Sequence, residues 1–264
     1  RNEPSEHANN IAGLDGIHPN QWREQARNDL QKYGSVELIH NRVAVVAKDS
    51  GAFTASLESG ETAKFRKVIL AYGVRDRLPE IEGLQDLWGK AVFHCPYCHG
   101  FEVQDQKIGV IGNGYFVEHM LPMISSLSGK LVIFTQGKSE FSDAFAAKLA
   151  ENQIPIIESR IASLNARGAE LTAAVLASGE KLEVDALFVA PVLPVRMNSS
   201  IAEELGCEKD DMGIIKAAQM GKTTVDGVFA AGDIMTMQHS VVGAASTGQA
   251  AGSGAVLELV NEDF

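Results

Sequence analysis

The chain has no apolar run long enough to cross a membrane. Its longest, Ala186 to Val195, is ten residues interrupted by Pro191 and Pro194, against the roughly 20 that a spanning helix needs. It has no excess of positive charge either. Asp and Glu number 34 against 23 Lys and Arg, for a net charge of −11, which argues against a nucleic-acid partner because phosphate-backbone binding rests on basic groups. The opening RNEPSEHANN lacks the basic-then-apolar order of a secretory signal, so a reducing cytoplasm is the expected compartment. Only three cysteines occur in 264 residues, too few for a disulfide scaffold. Aromatics are scarce at 6%, whereas glycine is plentiful at 25 residues, a balance that suits nucleotide-binding α/β proteins, where backbone approaches ligand closely.

Periodicity and turn signals predict the elements. Asn20 to Lys32 reads as a helix. Strand-like runs follow at Val36–His40, Val43–Ala47, Phe53–Leu57 and Lys67–Ala71, with turns at Asp49-Ser50-Gly51 and Ser59-Gly60, a β-meander closed by the buried strand VILAYG. From Lys107 the order is strand (Ile108–Ile111), glycine turn, helix to about Leu127 and strand (Leu131–Phe134), which is one βαβ unit. A helix at Asp143–Glu151, a strand at Ile154–Ile157, a second meander through Ser163–Leu176 and a buried strand at Ala186–Ala190 come next, then a strand at Gly227–Ala231 and a small-residue helix from Val241 to about Val260.

Three segments carry chemistry. The first is HCPYCHG, His94 to Gly100. A C-x-x-C pair in an intracellular protein is redox-active, metal-binding or incidental. Zinc needs four ligands, and no second C-x-x-C or spaced His pair is present, so no metal site is expected and dithiol/disulfide chemistry at Cys95 and Cys98 is the favoured reading. Thiol exchange needs a thiolate attacker and a protonated leaving group, and an imidazole serves both. His99 is the nearer candidate, with a plain surface-loop histidine as its alternative.

The second segment, IGVIGNGYFV, places Gly112 and Gly114 between a strand and a helix, where backbone N–H groups can meet a pyrophosphate. The signal is weak. Val117 stands where a small residue is expected and would push helix from strand, Pro122 lies inside the helix, and the next strand ends at Thr135-Gln136-Gly137 with neither an acidic residue for a ribose nor an arginine cluster for a 2′-phosphate. The third segment, TTVDGVFAAGDI, sets Asp233 directly after a buried strand and Gly232, placed to accept from a sugar or ribityl hydroxyl or to cap a helix.

In this order, over nearly the whole length, the segments resemble the low-molecular-weight thioredoxin reductase family of flavin-dependent disulfide oxidoreductases. The strand ending at Gly73 resembles that family's A-T-G strand, C-x-x-C just precedes the glycine turn, and FAAGD resembles its second flavin-contact motif. The resemblance implies an α/β fold of two Rossmann-like nucleotide-binding domains: an FAD domain, residues 1–91 and 212–264, split by an inserted pyridine-nucleotide-type domain, residues 92–211. It implies FAD contacts at Asn2, Val46, Ala71, Gly73, Gly232, Asp233 and Ser240, a weak NAD(P) site at Gly112 and Gly114, and a homodimer. By the same resemblance Cys98 faces the flavin and Cys95 exchanges with substrate, a thioredoxin-like protein or a small dithiol or disulfide.

Four departures qualify this. The position after the second cysteine, usually an acid/base aspartate, is His99, and with Pro96-Tyr97 it looks closer to a branch containing reductase-like proteins and dithiol oxidases acting on small natural products. The family's Arg-Gln pair near the flavin corresponds to His239-Ser240, and its arginine-rich NADPH segment to Gln136-Gly137-Lys138. Members begin with a strand–GxGxxG–helix unit, and Arg1-Asn2-Glu3-Pro4-Ser5 looks like the stretch just after it. The resemblance therefore implies a chain truncated at its N-terminus or, less favoured, a protein without its main FAD anchor. A reductase, a dithiol oxidase and a non-enzymatic redox-sensing module are the readings carried forward.

Overall fold

The computed structural model describes residues 2–264. The chain divides into two compact units, one of residues 24–76 and 193–264, the other of residues 2–23 and 77–192.

The second unit is built on a five-stranded parallel sheet in the order Val92–Phe93, Ala186–Val189, Ile108–Ile111, Leu131–Phe134, Ile156–Ile157. All four residues of both Ala186–Val189 and Ile108–Ile111 are buried, as expected for a parallel sheet covered on both faces. One cover is the helix Gly114–Ser125, whose Val117, Met120, Leu121 and Ile124 follow the 3–4 spacing of one helical face and pack with Ile108, Val110 and Ile133. It runs through Pro122, an exposed position. On the other face Leu164, Leu171 and Ala174 of the antiparallel strands Ile161–Arg167 and Glu170–Leu176 pack with Ile111, Phe134 and Leu187.

Val117 does not push helix from strand. Its side chain is fully buried, and the room comes from Gly112, where a Cβ would lie 3.0 Å from Val117 Cγ2 and 2.5 Å from Ala190 Cβ. The space a small residue would have left in the helix is provided instead by the turn.

In the first unit the antiparallel strands Val43–Asp49, Ala52–Leu57 and Thr62–Phe65 form one sheet, and Val68–Leu70 pairs in parallel with Val228–Ala230. The helix Val241–Asp263 packs against this pair through Ala251 and Ala255, beside Phe229. Lys67, with 8% of its side chain exposed, reaches Glu258 of that helix at 2.8 Å. The expected strand Val36–His40 does not form. Val36, Leu38 and Ile39 are exposed at 43, 45 and 52% and no ladder runs through the segment, because an apolar alternation becomes a strand only where a neighbour pairs with it. The strand Thr62–Phe65, absent from the sequence reading, is exposed at every position and so shows no inward-facing pattern. Among the described residues no helix is long and apolar enough to cross a membrane.

Candidate functional site

The C-x-x-C segment forms a single helical turn, Pro96–His99, entered from the buried strand Val92–Phe93. Proline suits the first helical position, where its missing N–H would be unpaired anyway. Cys95 is the N-cap and Cys98 lies in the turn, which brings their Cα atoms to 5.3 Å, and the two are joined as a disulfide. The Cys98 N–H donates to Cys95 Sγ at 3.2 Å. A backbone donor of this kind favours a thiolate on Cys95 once the pair is reduced. The third cysteine, Cys207, is buried in the other unit, and burial pushes its thiol up.

His99 is not a surface-loop side chain. Its ring stacks on Phe93 with centroids 4.5 Å apart and planes 16° apart, and both ring nitrogens are buried without a hydrogen-bond partner. Burial holds the imidazole below its usual range, an effect opposed by the Glu102 carboxylate and reinforced by His7. The imidazole is therefore held in its neutral form at neutral pH. His94 stacks on Trp88 at 5.7 Å.

Sequence reasoning missed two residues at this turn. Asn9 Nδ2 donates to the Cys98 carbonyl at 3.0 Å, and Asn10 Nδ2 to the Tyr97 carbonyl at 2.8 Å. Nothing local marks them, since the contacts span 89 and 87 residues.

The glycine turn is folded as expected, with Gly112 at φ +152° and Gly114 at φ +60°. The residue between them matters as much. Asn113 Oδ1 accepts from the N–H groups of Gly114 at 3.0 Å and Glu140 at 2.8 Å, while its Nδ2 donates to the Lys138 carbonyl at 2.9 Å. The first N–H of the helix is thus turned to the chain itself.

The flavin-side candidates fall mostly in the first unit. Its parallel strands Val68–Leu70 and Val228–Ala230 end at the same edge, followed by Ala71 and Gly73 (φ +69°) in one case and Gly232 (φ +74°) and Asp233 in the other. That carboxyl edge is where dinucleotides lie in doubly wound sheets. Gly232 N–H donates to Thr247 Oγ1 at 2.9 Å, which ties this turn to the long helix. Ser240, not Asp233, caps that helix, its Oγ accepting from Gly243 N–H at 2.9 Å. Val46 and Ala71 also line a cavity of about 650 Å³ whose polar edge includes Arg42, Arg75 and Asn198. An apolar hollow with arginines in its lining, alongside the first of these strands, has the chemistry that a flavin dinucleotide needs. Asn2 lies in the cysteine-bearing unit instead, where its Oδ1 accepts from Arg23 Nη1 at 3.1 Å.

The sequence pattern of the pyridine nucleotide-disulphide oxidoreductases matches residues 4–252. The chain belongs to that family. Among its relatives are a thioredoxin reductase of Leptosphaeria maculans, sirT, 30% identical over all of this chain and 85% of that protein, and a thioredoxin reductase of Claviceps purpurea, tcpT, 29% identical over 98% and 84%. A solved structure of a putative thioredoxin reductase, TrxB, from Bacillus anthracis superposes over the whole chain and 88% of its own length, with a TM-score of 0.93 at 29% identity. The chain is thus a thioredoxin reductase-like flavoprotein of the thiol/disulfide oxidoreductase type, with the two-domain Rossmann-like α/β architecture of its neighbours. Members of this family use FAD and NAD(P)H.

Proposed function

We propose that Cys95 and Cys98 carry an electron pair between FAD and a dithiol/disulfide substrate, thioredoxin-like or small. The observation that carries this is the joined pair on its helical turn, with the Cys98 N–H on Cys95 Sγ and the neutral His99 next in sequence. Bound FAD would supply the two-electron chemistry that side chains lack. Val46, Ala71, Gly73, Gly232, Asp233 and Ser240, all in the first unit, would hold it.

In the reductive direction the Cys95 thiolate attacks one sulfur of the substrate disulfide and displaces the other as a thiolate, leaving a mixed disulfide. Cys98 then gives its proton to the His99 imidazole and attacks Cys95 Sγ. The second substrate sulfur leaves as a thiolate that takes this proton back from His99, the first takes one from water, and the substrate is released as a dithiol, two electrons richer, with the Cys95–Cys98 disulfide restored. The opposite direction, oxidation of a small dithiol by the cysteine disulfide, is the second reading. It is favoured by the Asn113 bridge at the glycine turn and by the absence of arginine in Gln136-Gly137-Lys138, both of which weaken nucleotide recognition at Gly112 and Gly114. The assignment of residues 1–91 and 212–264 to an FAD domain and 92–211 to the insert belongs to the same proposal, as does a homodimer.

Single serine variants test the roles. Cys98→Ser should accumulate a mixed disulfide at Cys95 that mass spectrometry detects, because nothing resolves it, whereas Cys95→Ser should trap no substrate. Trapping by Cys95→Ser alone reverses the roles, and full activity in both variants refutes the reading.

A further inference from the structure

A helix of one turn cannot pair its last carbonyl groups within itself, and four residues are far too few to be helical unaided. In the Cys95–Cys98 turn every carbonyl is nevertheless accounted for. Cys95 O accepts from the N–H groups of Cys98 and His99 at 3.2 and 3.3 Å, and Pro96 O from Gly100 N–H at 2.8 Å. The remaining two, Tyr97 O and Cys98 O, are met by the carboxamides of Asn10 and Asn9.

The two asparagines are themselves held. Ala8 and Ile11 on either side are each 7% exposed, Ala8 N–H donates to Ile17 O at 2.9 Å and Gly16 N–H to Ala8 O at 3.1 Å, closing the loop. Asn10 sits at φ +62°, a conformation asparagine tolerates better than most residues, and its N–H donates to Asp15 Oδ1 at 2.6 Å. Asn9 Nδ2 also donates to Glu102 Oε1, which sets the amide's orientation.

We propose that Asn9 and Asn10 are positioning residues that bias the Cys95–Cys98 pair toward the disulfide. The inference rests on the reading of that pair as a reversible redox couple. The asparagine bonds are made to the turn in its joined form. Reduction removes the covalent link that holds this turn at its 5.3 Å Cα separation, and a four-residue helix without that link frays and loosens the same bonds. By linkage, a contact that is stronger in the oxidised state stabilises the disulfide relative to the dithiol.

The test is the equilibrium with glutathione, in which two glutathione thiols give two electrons and two protons to the disulfide, yielding oxidised glutathione and two cysteine thiols. FAD-loaded wild type, Asn9→Ala, Asn10→Ala and the double variant are equilibrated anaerobically over a range of glutathione ratios. The samples are then acid-quenched, alkylated and read by mass at the Cys95–Cys98 peptide. The constant for disulfide formation should fall about threefold in each single variant and about tenfold in the double, given the modest net strength of single hydrogen bonds. Tenfold is a potential about 30 mV less negative for this two-electron couple.

A purely structural role would destabilise both redox states together and leave this constant unchanged, so a shift below twofold in the double variant overturns the proposal. Should the double variant not fold, the single variants decide on the same scale, with a shift below 1.5-fold in both counting against it. A wild-type pair that never exchanges with glutathione overturns the redox reading itself, an outcome distinct from an unshifted constant.

Discussion

Replacing His99 with phenylalanine separates catalysis from stability. Phenylalanine keeps the ring against Phe93 and removes two buried ring nitrogens that have no partner. An unsatisfied buried polar group costs about 1–3 kcal/mol when fully buried. His99 is only half-buried as a residue, so the discounted expectation is a change between zero and about 2 kcal/mol in favour of the variant. Reactivity should move the other way, because a positioned general base contributes about 10²–10⁴-fold.

The pH dependence has a definite sign. The folded imidazole lies below its unfolded value of about 6.5 because of burial, so below that pH the unfolded chain binds more protons than the folded one. His99 therefore costs the wild type stability as pH falls through about 6.5, and His99→Phe should lose less between about pH 7.5 and 5.5. The assays are urea unfolding at both pH values and the anaerobic, acid-quenched rate of the reduced protein with oxidised glutathione. A rate loss under threefold, or a variant destabilised by more than about 1 kcal/mol, refutes the reasoning.

Gly112→Ala should cost about 2–4 kcal/mol in urea unfolding, combining overpacking against Ala190 and Val117 with a backbone conformation side chains avoid. Adding Ala190→Gly should recover part of it, and a loss under about 0.5 kcal/mol for the single variant would contradict the packing described. NADPH and NADH should reduce the FAD-loaded protein with less than about tenfold preference, since Lys138 is the one cation of Gln136-Gly137-Lys138 and a single exposed charge pair gives about 0.2–1 kcal/mol. Stopped-flow traces showing a hundredfold preference for NADPH would reveal a recognition element elsewhere. Asn113→Ala, which frees the Gly114 N–H, should tighten nucleotide binding about three- to tenfold, and unchanged or weaker binding would remove the Asn113 bridge as the reason for weak recognition.

The sequence by itself determined the features that are written locally. Ile108–Ile111, Leu131–Phe134 and Asp143–Glu151 fall where apolar runs and turn residues set them, because strand and helix periods are properties of consecutive residues. The C-x-x-C spacing likewise implies a shared turn, whatever lies around it. Val36–His40 shows the limit of such patterns: its alternation is as good as its neighbours', yet pairing depends on a partner the segment itself does not contain. Only the tertiary structure decided how Val117 is accommodated, since the missing atom is at Gly112 and the crowding one at Ala190. It alone decided that the half-buried His99 ring stacks on Phe93 with its imidazole held below its usual range, that Ser240 rather than Asp233 caps the long helix, and that two asparagines nearly ninety residues upstream complete the cysteine turn. These outcomes depend on burial and on hydrogen bonds between segments remote in sequence, where no period or spacing within either segment records the presence of the other.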